Sequence, residues 1–134
     1  GIGVDPAWQA DAVSNEQDGY DAMLALFGRG VDCDAVFAAS DLIAIGAMRA
    51  IQERGLAIPE QIAVAGFDNI PMANFVSPAL TTVLQDTKQA GELLVKTLLH
   101  LINNEPVQSQ MLPAKLLIRR SCGAVCQPEG DPAR

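Results

Sequence analysis

The sequence predicts an α/β domain built on a parallel sheet, and three observations carry that expectation. Residues 35–39 (AVFAA) and 62–65 (IAVA) are short, uncharged apolar runs of the kind that form buried strands. Segments with apolar residues at helical spacing alternate with them, joined by short connections. The chain is 134 residues long, enough for one domain with a sizeable core.

Residues 1–14 read as loop, with a short strand near residues 10–13. Ser14 or Asn15 caps a first helix, in which Tyr20, Met23, Leu24 and Phe27 share a face and which Gly28 and Gly30 stop. The run at 35–39 follows as a buried strand. Ser40-Asp41 then opens a second helix with Leu42, Ile45, Met48 and Ile51 on one face, ended by Gly55. Pro59 marks a loop, and the strand at 62–65 ends at Gly66-Phe67-Asp68. Residues 66–80 read as loop and 81–84 as a short strand. Asp86 or Thr87 caps the longest helix, with Ala90, Leu94, Leu98 and Leu101 facing inward, until Asn103, Asn104 and Pro106 end it. Residues 112–119 read as a last strand, and 122–134 as a flexible tail.

Composition narrows the function. Hydrophobic residues are 49% and aromatic residues 4%, so the core is aliphatic. A net charge of −7 makes the chain a poor partner for polyphosphate, which argues against direct nucleic-acid binding. The most apolar stretch, 93–102, is broken by Lys96, Thr97 and His100 and is too short to span a membrane. The first residues, GIGVDPAW, carry no targeting signal and no initiator Met, as expected for a piece of a longer protein. Cys33, Cys122 and Cys126 lack metal-ligand spacing and read as reduced thiols, with no metal.

Ligands of open parallel sheets bind at the carboxyl ends of the strands. Ser40-Asp41 follows one such end and Asp68-Asn69 another. A carboxylate there can accept two hydrogen bonds from vicinal hydroxyls of a sugar. The competing structural roles are a helix N-cap for Ser40 or Asp41 and a turn for Asp68. Asp41 and Asp68 could form an acid/base pair, but no nucleophile elbow, P-loop, dinucleotide fingerprint or metal cluster accompanies them. His100 lies near a helix end. No catalytic residue and no cofactor is expected.

AVFAASDLIAIGAMRAIQERGLAIPEQIAVAGFDNIPMA, then SPALTTVLQ, then MLPAKLLIRRSC, resembles the effector-binding core of the lactose-repressor/galactose-repressor family of bacterial transcription regulators. GLAIP, VAGFDN, PALTT and the closing LIRRS are the strongest pieces, and the likeness runs from about Gly19 to Ser121. That family shares its two-lobed, doubly wound α/β core with periplasmic binding proteins.

The resemblance implies the rest. Residues 1–121 are the C-terminal lobe of an effector-binding domain, and 87–110 form a crossover helix that belongs to the other lobe in the intact fold. Asp68 matches the family carboxylate on the ligand. Ser40 stands where the family usually has Asn, and Asp41 matches the Asp beside it, in a cap or loop role. Gln85 lies in the crossover near the cleft. Ser14 stands where an aromatic often stacks on the ligand. The implied effector is a sugar or related metabolite, and the implied setting is the cytoplasm. A homodimer is expected through the helix from Asp41 to Arg54 and the loop after Asp68. DNA would be reached only through a head absent from this chain. The crossover helix, without its lobe, should fold back onto this lobe or swap between two chains. One lobe alone should bind effector weakly or not at all. The alternative is a piece of a periplasmic sugar-binding protein of a transport system.

Overall fold

The computed structural model describes residue 3 and residues 5–124. In chain order the elements are α1 (Glu16–Gly28), β1 (Ala35–Phe37), α2 (Asp41–Glu53), β2 (Ala63–Asp68), β3 (Thr81–Gln85), α3 (Thr87–Ile102) and β4 (Ala114–Leu117). Short 3-10 turns at Pro6–Trp8, Pro71–Asn74 and Arg120–Cys122 punctuate them. The sheet runs β1-β2-β3-β4; the first three strands are parallel and β4 is antiparallel to β3.

Each helix starts on a side-chain cap. Asn15, Ser40 and Asp86 accept hydrogen bonds from the backbone N–H groups of Asp18, Ile43 and Gln89. The α2 helix lies on β2 and buries Ala44, Ala47, Met48, Ala50 and Ile51. Its small residues bring it close to the strand, where Gly66 leaves room for Asp41 and Ala44. The α1 helix packs on α2. Gly19 and Gly46 make that crossing: a Cβ on Gly46 would overlap the Glu16 carbonyl, and one on Gly19 the Ile43 carbonyl. Met23, Ala38, Ile58, Ile62, Val64, Ala73 and Leu80 complete the core.

The C-terminal segment is tied into the sheet by Ser121. Its buried hydroxyl donates to the Val64 carbonyl (2.6 Å) and accepts from the Thr81 N–H (2.8 Å). A polar side chain there is fully satisfied, as burial requires.

Five sequence expectations are corrected. Residues 10–13 form no strand and join no ladder among the described residues. β1 is not buried on both faces: among the described strands it lies at the sheet edge, and Phe37 is 68% exposed. Paired register places Phe37, Phe67, Val83 and Leu116 on the sheet face opposite α2, where an uninterrupted apolar run looks the same as a doubly covered strand. β2 continues through Gly66-Phe67-Asp68 because those residues pair with β3. The α3 helix has no buried residue, and Leu94 is 71% exposed, so its apolar face does not point inward; nor does α3 fold back onto this body. Cys122 is half-buried in the last 3-10 turn rather than in a tail. The rest of the expected tail, with Cys126, lies outside the described residues.

Candidate functional site

The parallel strands β1 and β2 end on the same edge of the sheet. After β1 the chain passes through Ala38 and Ala39 to Ser40, whose Oγ accepts from the Ile43 N–H at 3.3 Å. Ser40 is therefore spent on the α2 N-terminus, with its side chain partly exposed at the edge. Asp41, the first residue of α2, is wholly buried. Its Oδ1 accepts from the Thr82 hydroxyl at 2.5 Å and its Oδ2 from the Ile70 N–H at 2.9 Å. Both carboxylate oxygens are thus engaged by donors, which removes much of the cost of burying the charge.

Asp68 closes β2 and is exposed. Its Oδ1 accepts from Gln85 Nε2 at 3.1 Å, and Gln85 is the exposed last residue of β3. Asp68 and Asn69 both lie at positive φ, 109° and 58°, a region that residues other than glycine seldom adopt. Asn69 donates its N–H to Thr82 Oγ1 at 3.3 Å and accepts at Oδ1 from Arg119 Nη2 at 2.6 Å.

The fold therefore brings Asp68 and Gln85 into direct contact. It joins Asp41 to the same loop through Ile70, and sets Ser40 beside Asp41. Ser14 is exposed in the bend before α1, and no side-chain hydrogen bond joins it to the other four residues. Thr82 and Arg119 were not singled out in the sequence, and Asn69 was noted only beside Asp68 at the strand end. The pieces PALTT, VAGFDN and LIRRS contained them, but no spacing rule tells that residues 69 and 119 meet.

Among the described residues no group of His, Cys, Asp and Glu has the geometry of a metal site. Cys33 and Cys122 are free thiols. Burial, with the Asp32 and Asp34 charges, pushes the Cys33 thiol up from its ordinary value. What the edge offers chemically is an exposed carboxylate and a carboxamide, held as a hydrogen-bonding pair.

A periplasmic binding protein-like domain matches residues 1–122. The chain belongs to that family. The HTH-type transcriptional repressor PurR of Pasteurella multocida is 34% identical over 123 residues, covering 90% of this chain and 37% of that protein. Among solved structures, a sugar-binding transcriptional regulator of the LacI family from Escherichia coli, complexed with phosphate, superposes with a TM-score of 0.80. It is 30% identical, and the match covers 90% of this chain and 44% of that one. The lac repressor dimer bound to operator and the anti-inducer ONPF gives a TM-score of 0.79 at 32% identity, covering 84% and 40%. The resemblance read from the motifs is therefore sound: this periplasmic-binding-protein-like chain is related to the C-terminal part of LacI-family regulators. It spans about 37% of the length of that curated relative. No helix among the described residues is long and apolar enough to cross a membrane.

Proposed function

We propose that this chain is the effector-binding and dimerising part of a LacI-family transcription regulator, and that its effector is a sugar or related polyhydroxyl metabolite. The observation that carries the reading is the exposed Asp68–Gln85 pair at the carboxyl edge of β2 and β3. A carboxylate accepts from vicinal hydroxyls, and the neighbouring amide supplies both a donor and an acceptor. Ser40 at the same edge adds a short hydroxyl. Asp41, with both oxygens engaged, supports the loop from behind rather than meeting ligand. Ser14 contributes no stacking surface, which leaves room above the ring.

In this reading residues 1–121 form the C-terminal lobe, and 87–110 cross to the other lobe. Effector binding biases lobe closure, and closure sets DNA affinity through a separate head acting in the cytoplasm. Dimerisation uses the loop after Asp68, where Met72 is half-exposed and Phe75 is 81% exposed, with the exposed end of α2 at Arg49 and Gln52–Arg54. The apolar face of α3 is covered either by the other lobe or by exchange with a second chain. The relatives are regulators rather than enzymes or transport proteins, which favours regulation over the transport alternative.

The test is titration of the complete gene product with D-ribose, D-galactose and cellobiose by calorimetry. One sugar is expected to bind, and Asp68→Ala is expected to weaken it about tenfold to a hundredfold, the worth of a hydrogen bond to a charged group. Equal affinity in wild type and Asp68→Ala would overturn the assignment of Asp68.

A further inference from the structure

Among the described residues Asp68 has a single side-chain hydrogen-bond partner, Gln85, so the direction of its carboxylate is decided mainly by its backbone. That backbone is unusual, with two successive residues at positive φ. Such a pair persists only where neighbouring structure over-determines it. Three contacts do so. Asp41 holds the Ile70 N–H, Thr82 holds the Asn69 N–H, and Arg119 holds the Asn69 side chain.

The third contact differs in kind from the others. Arg119 lies 50 residues downstream, just past β4. Its Nη1 donates to the Leu80 carbonyl at 2.7 Å while Nη2 donates to Asn69 Oδ1 at 2.6 Å. Its backbone N–H donates to Thr81 Oγ1 at 2.8 Å. The guanidinium fork therefore bridges the start of β3 and the loop leaving β2, and its root is pinned to β3. A rigid planar fork can satisfy two acceptors at a set separation; a lysine ammonium on a flexible stem does not reproduce this.

We propose that Arg119 is the positioning residue for the Asp68 carboxylate, acting through Asn69. This rests on the reading of Asp68 as the ligand-facing acid, and adds how that acid is aimed. A sugar that needs two hydroxyls met at once is sensitive to the angle of the carboxylate, so the tether also sets specificity. It makes the segment after β4 part of the site without touching the ligand.

The test is residue-by-residue amide hydrogen exchange by NMR on this chain, with no ligand present. In Arg119→Lys, the Asn69 and Ile70 amides are expected to exchange about tenfold faster, while Ala44 and Met48 in α2 keep their rates. Asn69→Asp, which gives the guanidinium a carboxylate to hold, is expected to match or slow the wild-type rates at Ile70. Asn69→Gly tolerates the positive φ but loses the tether, and is expected to show the same local rise should Arg119→Lys fail to fold. Unchanged exchange at Asn69 and Ile70 in Arg119→Lys would overturn the proposal. So would an equal rise throughout α2, which would make Arg119 a general support. A protein that binds no sugar would defeat the functional reading while leaving this result to stand or fall by itself.

Discussion

The Thr82 hydroxyl and the Asp41 carboxylate meet at 2.5 Å inside the protein, 41 residues apart in sequence. Both side chains are wholly buried. The same hydroxyl oxygen accepts from the Asn69 N–H, so one threonine links α2 to the loop after β2. Thr82→Val keeps the shape and removes the hydroxyl, leaving Asp41 Oδ1 and the Asn69 N–H without it. A loss of about 1–3 kcal/mol is expected in urea denaturation. A valine variant as stable as wild type would show that the pair contributes nothing net.

Gly46, like Gly19, is a point where α1 and α2 touch backbone to backbone. Gly46→Ala would drive a methyl into the Glu16 carbonyl, which cannot move without shifting α1. The expected cost is about 1–3 kcal/mol or more, read as a lower denaturation midpoint. Gly91 in α3 is the opposite case, with nothing near its would-be Cβ. Gly91→Ala should raise helix content by circular dichroism, since alanine is favoured by about 1 kcal/mol in a helix interior.

Ser40 serves both the helix and the edge. Ser40→Ala should cost about 0.5–2 kcal/mol through loss of the N-cap. Ser40→Asn keeps the cap and reaches further out. Under the proposed function it should hold stability and tighten sugar binding, measured by denaturation and calorimetry together. Binding that is unchanged in Ser40→Asn would remove Ser40 from the ligand set.

The Tyr20 hydroxyl donates to Glu53 Oε2 at 2.6 Å, and Arg49 Nε to Glu53 Oε1 at 2.8 Å. The bond from Tyr20, then that from Arg49, holds the Glu53 carboxyl below its usual range. The bond to Glu53 raises Tyr20 above its usual value. The signs follow. Glu53 adds stability above the ordinary carboxylate range and loses it as pH falls through its depressed value. Tyr20 adds stability below the ordinary phenol range and loses it as pH rises through its raised value. The stability difference between wild type and Tyr20→Phe should therefore be widest at neutral pH and shrink toward both extremes. A difference independent of pH would disprove the linkage.

The α3 helix presents Leu94, Leu98 and Leu101 to solvent, all more than half exposed. Sedimentation of the 134-residue chain should show self-association that rises with concentration, and Leu94→Glu with Leu98→Glu should abolish it. A monodisperse wild-type monomer at high concentration would count against exchange of this helix between chains.

The α/β alternation was legible because periodicity and caps are local. Asn15 and Asp86 cap where the sequence suggested, and Gly55 turns the chain at positive φ after α2. Exposure was less legible. The run at 35–39 carries no charge, and the sequence has no sign that β1 lies at an edge. Asp68 and Gln85 were each found, but their contact depends on the parallel register of β2 and β3. The roles of Thr82 and Arg119 were invisible, since each acts on a residue 13 to 50 positions away.

Because β4 runs antiparallel and Arg119 lies just beyond it, the edge that carries Asp68 is completed by a segment made well after the strands it joins. During synthesis, β1, β2, β3 and both packed helices leave the ribosome well before Arg119 and Ser121 can reach Asn69 and Val64. Until then the Asp68 loop has two of its three restraints. A nascent chain that stops before Arg119 would hold α1, β1, α2, β2 and β3 without that restraint on the Asp68 loop, so under the proposed role of Arg119 the carboxylate gains its aim only once that residue has been made.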